Sequence, residues 1–149
     1  LNYIAKTVRS TTIKNFDTDG LSYLDSLLAQ QISDYCNKCQ HMLFTQCALQ
    51  LSQYRTIQLD SRQCAEIKSA WKEFNNGISY LKRLHAPLSI ADPELKRLLV
   101  ERLRSQLLPL YEKFYGTSMS LNFSKNRSKY ILYSVGLFTA MIDQLFSND

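Results

Sequence analysis

The segment from Asp92 to Tyr115, DPELKRLLVERLRSQLLPLYEKFY, constrains the fold more than any other part of the chain. Leu95, Leu99, Leu103, Leu107, Leu110 and Phe114 recur at intervals of four, four, four, three and four. A half-buried strand would alternate every second residue, whereas this spacing sets all six side chains on one stripe of a helix. Asp92 suits an N-cap, Pro93 the first helical position, and Glu94 the positive end of the helix dipole. At the usual rise the helix is roughly 36 Å long, too long for an incidental connector. Pro109 removes a donor to the carbonyl of Ser105. Both positions fall opposite the stripe, where water can reach that carbonyl, so the expectation is one kinked helix rather than two elements.

Four Gly and three Pro leave few turns, so the remaining elements are also expected to be long. A chain of 149 residues, 45 % hydrophobic and 21 % charged, matches one ordinary globular unit or a piece of a larger one. The reading is a single helical bundle domain over residues 1–149. It begins at Leu1 rather than Met and shows no signal, transit or lipidation motif, which suggests a fragment of a longer chain. No apolar run approaches the ~18 residues of a membrane span.

Leu1 to Ile13 reads as a short helix, and Asn15 to Gly20 as a turn-rich break. A long helix is expected from about Leu21 to Tyr54. Leu24, Leu27, Leu28, Ile32, Tyr35, Cys39, Met42 and Leu43 keep three-and-four spacing there. A loop from Thr56 to Ser61 ends in a plausible cap. The next helix, Arg62 to Leu84, carries Cys64, Ile67, Trp71, Phe74, Ile78 and Leu81, with His85 closing the seam as a C-terminal cation or capping donor. Its single Trp reads as a core anchor. Pro87 to Ala91 is a short link between two long helices, which implies antiparallel neighbours. Gly116 to Ser128 reads as a polar loop, and Lys129 to Tyr133 as a brief extended segment. Ser134 can cap a last helix whose apolar face is Val135, Phe138, Met141, Ile142, Leu145 and Phe146. The fold class is all-α.

Two metal patterns fail on inspection. Cys36-x-x-Cys39, with His41 and Cys47 nearby, has zinc-like spacing, but it sits within helical periodicity and lacks the Gly or Pro of a ligand-presenting turn. Gln40 likewise breaks the haem-attachment pattern. Buried or half-buried free thiols are expected. Asp17-Thr18-Asp19-Gly20 has the opening of a calcium loop, but Asp25 is one position short of the closing carboxylate, and Leu21 and Tyr23 stand where oxygen ligands belong. No cofactor or metal is expected.

The net charge of +5 is unevenly placed. Ser61 to Tyr130 holds 13 Lys or Arg against 6 Asp or Glu, and the remainder holds 5 against 7. A basic half points to an acidic partner. Nucleic acid is disfavoured, because no helix-turn-helix, zinc finger or RNA-recognition signature accompanies the charge. An enzyme is disfavoured too: there are two histidines, no glycine-rich phosphate loop, and no Ser or Cys in a nucleophile motif.

The order of certain pieces carries a resemblance. Trp71-Lys-Glu-Phe74-Asn75-Asn76-Gly77 precedes Ile90-Ala91-Asp92-Pro93 and then Leu110-Tyr111-Glu112-Lys113-Phe114. Lys125-Asn126-Arg127-Ser128-Lys129-Tyr130-Ile131-Leu132-Tyr133 and Met141-Ile142-Asp143-Gln144-Leu145-Phe146 follow. This resembles the C-terminal end of the seventy-kilodalton subunit of the exocyst, which tethers secretory vesicles to the plasma membrane. The match is strongest from about Arg62 to Phe146. The resemblance implies an elongated antiparallel helical bundle, the terminal portion of a helical rod, and a non-enzymatic role in exocytosis. It implies a cytoplasmic protein, peripheral at the inner face of the plasma membrane, that binds phosphatidylinositol bisphosphate through a C-terminal basic patch. Other exocyst subunits and a Rho-family small GTPase are the implied protein partners. The alternative is a protein-only scaffold docking those partners without lipid contact.

Lys125 and Lys129 match two basic positions of the family run. Leu132 stands where the family usually has lysine, and Arg127 where it tends to have proline. Arginine suits a phosphate, since its planar fork can bond two oxygens at once. Lys125, Arg127 and Lys129 are therefore the candidate lipid-binding residues, with Arg97, Arg104 and Lys113 as possible additional basic surface. Against that, Arg97 and Arg104 are spaced to pair with Glu101 along their own helix, and Lys82 and Arg83 read equally well as a solvated face.

Overall fold

The computed structural model describes residues 18–44, 54 and 58–147. The expected helix from Leu1 to Ile13, the turn residues 15–17, positions 45–53 of the expected second helix with Cys47 among them, and positions 56 and 57 of the loop before Ser61 lie outside them. The chain divides into two compact units, Leu1–Asn37 and Lys38–Asp149. Four α-helices are described: α1 Thr18–Leu43, α2 Ser61–His85, α3 Pro93–Ser120 and α4 Val135–Gln144. No strand occurs among the described residues, and the all-α reading stands.

The first unit holds α1 up to Asn37. Ile32 and Cys36 are buried there, while Leu24, Leu27 and Leu28 are half-exposed. Gln30 donates to Asp34 at 2.9 Å, one turn along an exposed face. Thr18, Asp19 and Gly20 form the first turn of α1 rather than the expected break, which replaces the calcium-like loop with helix. This helix ends at Leu43, where Phe44 closes it with an N–H bond to the Gln40 carbonyl at 2.8 Å; the expected continuation over 45–53 lies outside the described residues.

In the second unit the two long helices run antiparallel. Trp71, in the middle of α2, reaches Phe114 and Ser118 in the last third of α3, while Phe74, further along α2, meets Tyr111 and Phe114, further back along α3. α2 begins with a reciprocal cap. Asp60 accepts from the Gln63 N–H at 2.7 Å, and the Gln63 side chain accepts from the Asp60 N–H at 3.0 Å, satisfying two otherwise orphaned donors. The cap is thus Asp60, one residue before Ser61. At the far end the buried His85 donates from Nδ1 to the Leu81 carbonyl at 2.7 Å and stands edge-on to Phe146.

α3 has the expected N-cap, with the Asp92 carboxylate accepting from the Glu94 N–H at 3.1 Å. It runs without interruption through Pro109, and both Pro109 and Ser105 are exposed, so solvent reaches the carbonyl that proline leaves unbonded. Its buried residues are Leu99, Leu103, Leu107, Tyr111, Phe114 and Ser118. Leu110 is only half-buried and Tyr111 takes its place in the stripe. The helix also continues past Gly116 to Ser120, where a loop was expected. The buried Ser118 explains the extension, because its Oγ accepts from Trp71 Nε1 at 3.0 Å, and that bond needs helical geometry one turn beyond Phe114.

The core centre is aromatic. Trp71 stacks on Phe114 with centroids 4.1 Å apart, Phe74 on Tyr111 at 5.2 Å, and Tyr111 on Phe138 of α4 at 4.2 Å. Phe44 joins through Phe74 at 5.5 Å. Such pairs add roughly 0.5–1.5 kcal/mol each beyond area burial. The Tyr111 hydroxyl donates to the Tyr133 carbonyl. Burial, then the neighbouring Tyr115 and Tyr133, push Tyr111 well above the ordinary tyrosine value of 10.0. A raised folded-state pKa contributes stability that is intact below pH ~10 and falls as pH rises above it, because the unfolded chain then releases this proton more readily. Ultraviolet titration of phenolate should show one tyrosine ionising only with alkaline unfolding, and Tyr111→Phe should remove that late step.

α4 begins at Ser134, whose Oγ accepts from the Leu137 N–H at 3.2 Å, as expected of its cap. Phe138, Met141, Ile142, Leu145 and Phe146 are buried, and Val135 is half-exposed. No helix among the described residues is long and apolar enough to cross a membrane.

Candidate lipid-binding surface

The segment from Leu121 to Tyr133 crosses between α3 and α4 with little regular structure, yet it is pinned at several points. Leu121 and Phe123 are buried, so the stretch is less polar in its packing than its Ser and Asn content implied. Phe123 meets Tyr130 at 6.1 Å, and Asn75 of α2 donates to the Tyr130 carbonyl at 2.8 Å. Arg127–Lys129 forms a single 3-10 turn, closed by the Tyr130 N–H to the Arg127 carbonyl at 3.0 Å. The expected extended segment at Lys129 to Tyr133 is therefore a 3-10 turn followed by irregular backbone. Its carbonyls are engaged by Asn75 and Tyr111 side chains rather than by a neighbouring strand.

These anchors aim the cations. Lys125 and Lys129 are exposed. Arg127 is half-buried, and its Nη1 donates to the Met119 carbonyl at 2.7 Å, tying the turn to the last turn of α3. None of the three forms a salt bridge with a described carboxylate. In the sequence, too, no Asp or Glu occurs between Glu112 and Asp143. Local charge in this stretch is wholly positive.

The additional basic positions separate. Lys113 is exposed on α3. Arg97 pairs with Glu101 at 2.8 Å along its own helix, an exposed pair worth only about 0–1 kcal/mol. Arg104 does not share that glutamate; it bonds Asp143 of α4, while its buried Nε has no partner among the described residues. Arg104 thus fastens α4 to α3 and shares its charge with Asp143, while its side chain stays partly exposed. Lys82 is more than a solvated cation: its Nζ donates to the Tyr133 hydroxyl at 3.0 Å and lies 5.1 Å from that ring. Sequence spacing carried no signal for this pair, which is 51 residues apart.

Cys36 and Cys39 are both buried on continuous α1 helix, the setting expected of structural thiols rather than ligands on a turn. No group of three metal-ligating side chains occurs among the described residues.

The sequence is similar to several exocyst proteins. The chain is 33 % identical over 87 residues to the exocyst complex protein EXO70 of Yarrowia lipolytica, covering 58 % of this chain and 14 % of that protein. It is 24 % identical over 135 residues to exocyst complex component exo70 of Schizosaccharomyces pombe, covering 85 % of this chain and 22 % of that one. It is 31 % identical over 94 residues to exocyst complex component 7 of Homo sapiens, covering 60 % of this chain and 12 % of that one. The chain therefore spans a minor part of the length of these relatives. Residues 1–144 match the family model for the C-terminal region of Exo70, a component of the exocyst complex, and the chain belongs to that family.

Proposed function

We propose that this chain is the membrane-facing end of an exocyst subunit, helping to tether secretory vesicles at the inner face of the plasma membrane without catalysing a reaction. Its lipid is a phosphoinositide, met by Lys125 and Lys129 and oriented by Arg127. The observation that carries this reading is the pair of exposed ammonium groups in and just before an anchored turn, in a stretch devoid of carboxylates. The helical faces contact other exocyst subunits and a Rho-type GTPase.

Each basic residue near an anionic leaflet is worth ~1 kcal/mol. Arg127 already serves the Met119 carbonyl, so the two lysines dominate. Replacing Lys125, Arg127 and Lys129 together by Ala is expected to weaken binding to vesicles containing phosphatidylinositol bisphosphate about thirtyfold, read by co-sedimentation. Attachment in the cell then requires several such contacts within one assembly. Unchanged sedimentation of the triple variant removes these residues from the lipid contact. Saturable binding to a GTP-loaded Rho protein with no vesicle binding at all favours the protein-only scaffold.

A further inference from the structure

Two leucines in the stretch of chain that follows these cations are exposed. Leu132 is 55 % and Leu137 57 % accessible. Leu132 lies three residues after Lys129, at most roughly 10 Å along the chain. Leu137 sits in the first turn of α4, its N–H held by the Ser134 cap. Tyr133, between them in sequence, is fixed on both sides: its carbonyl accepts from Tyr111 and its hydroxyl from Lys82. Next to Leu137 is a groove of about 470 Å³ whose lining includes Ala140, Met141 and Leu145, with Lys82 and Tyr133 also bordering it.

We propose that Leu132 and Leu137 form an apolar wedge that enters the acyl boundary of an anionic membrane while Lys125, Lys129 and Lys82 remain at head-group level. The inference rests on the lipid reading above and adds a second, non-electrostatic contact to it. Charge complementarity selects the occupant. Lys82 lines the same groove as Leu137, Lys129 lies three residues before Leu132, and the nearest acidic residue after the two leucines in sequence, Asp143, is already bonded to Arg104. Apolar side chains flanked by lysines are the arrangement that binds at a lipid interface, where burial of the one and attraction of the other add.

Salt separates the two contributions. Raising ionic strength from about 0.1 M to about 1 M shortens the Debye length from ~10 Å to ~3 Å, suppressing the cation contact and leaving burial intact. The test is co-sedimentation of the intact chain with vesicles of phosphatidylcholine, phosphatidylserine and phosphatidylinositol bisphosphate across that range. The wild type should keep a salt-resistant fraction. Leu132→Ser/Leu137→Ser should reduce that fraction at least about tenfold with an unmoved thermal midpoint, since both side chains are exposed. The Lys125/Arg127/Lys129→Ala variant should instead lose mainly low-salt binding.

Complete loss of wild-type binding at high salt, or a double leucine variant that binds like wild type, overturns the wedge while leaving the cation contact in place. Absence of wild-type binding at every salt overturns the lipid reading and the wedge with it. If the leucine variant instead abolishes self-association in sedimentation velocity with lipid binding unchanged, the face is covered by a second copy and the wedge is wrong.

Discussion

Trp71→Ala should destabilise the second unit by about 3–5 kcal/mol, the range for deleting a large buried aromatic side chain. Trp71 has no exposed surface, stacks on Phe114, and stands edge-on to Phe74 and Tyr111. Its removal opens a cavity at the junction of α2 and α3. It also leaves the buried Ser118 hydroxyl without its donor, a further contribution of about 1–3 kcal/mol where nothing moves in to replace it. Against a typical total stability of about 5–15 kcal/mol, this is enough to populate unfolded chain at moderate urea. Since this is the only Trp in the chain, unfolding should be followed by far-ultraviolet circular dichroism rather than by fluorescence. Trp71→Phe keeps most of the ring contact and loses the Ser118 bond, so it should fall between the two. A loss below about 1 kcal/mol for Trp71→Ala would mean that the aromatic centre does not hold the helices together.

Gly77→Ala should destabilise by about 1–2 kcal/mol, although the same change in an isolated helix gains roughly 1 kcal/mol. Gly77 lies within α2, where the end of α1 crosses closely. A Cβ placed there would lie 2.5 Å from the Met42 carbonyl oxygen and 3.3 Å from its carbon. The obstacle is backbone rather than a flexible side-chain tip, so the two helices must separate. Overpacking of this kind outweighs the propensity gain. Gly116→Ala is the control. Gly116 is also helical, but nothing lies within 4 Å of its Cβ position, so the substitution should stabilise by about 0.5–1 kcal/mol. Opposite signs at two helical glycines are the diagnostic result in urea denaturation; equal signs would refute the close crossing at Gly77.

Much of the second unit was legible because its information is local. The leucine stripe of α3, the seam of α2, and the Asp92 and Ser134 caps all express contacts within one or two helical turns. Boundaries were less so. α3 passes the glycine that locally reads as a stop because Ser118 has a partner 47 residues away. Tyr111 enters the core ahead of Leu110 because its hydroxyl finds the Tyr133 carbonyl, so burying the ring strands no polar group. Nothing in three-and-four spacing distinguishes these two adjacent positions.

The same division runs through the candidate site. Residue order alone marked Lys125, Arg127 and Lys129 and their family, and the gap in acidic residues from Glu112 to Asp143 is visible in the letters. The apportioning of the nearby cations was not. Glu101 is spaced to serve both Arg97 and Arg104, yet Arg104 bonds Asp143, 39 residues away.

The sequence by itself determined that this chain is helical, where its main apolar stripes lie and which kind of protein it resembles, because helical periodicity and residue order are properties of neighbours along the chain. Tertiary structure decided where the helices stop, which side chain fills the aromatic centre, and which cations face outward. Those outcomes depend on groups that meet only after the chain has folded back on itself.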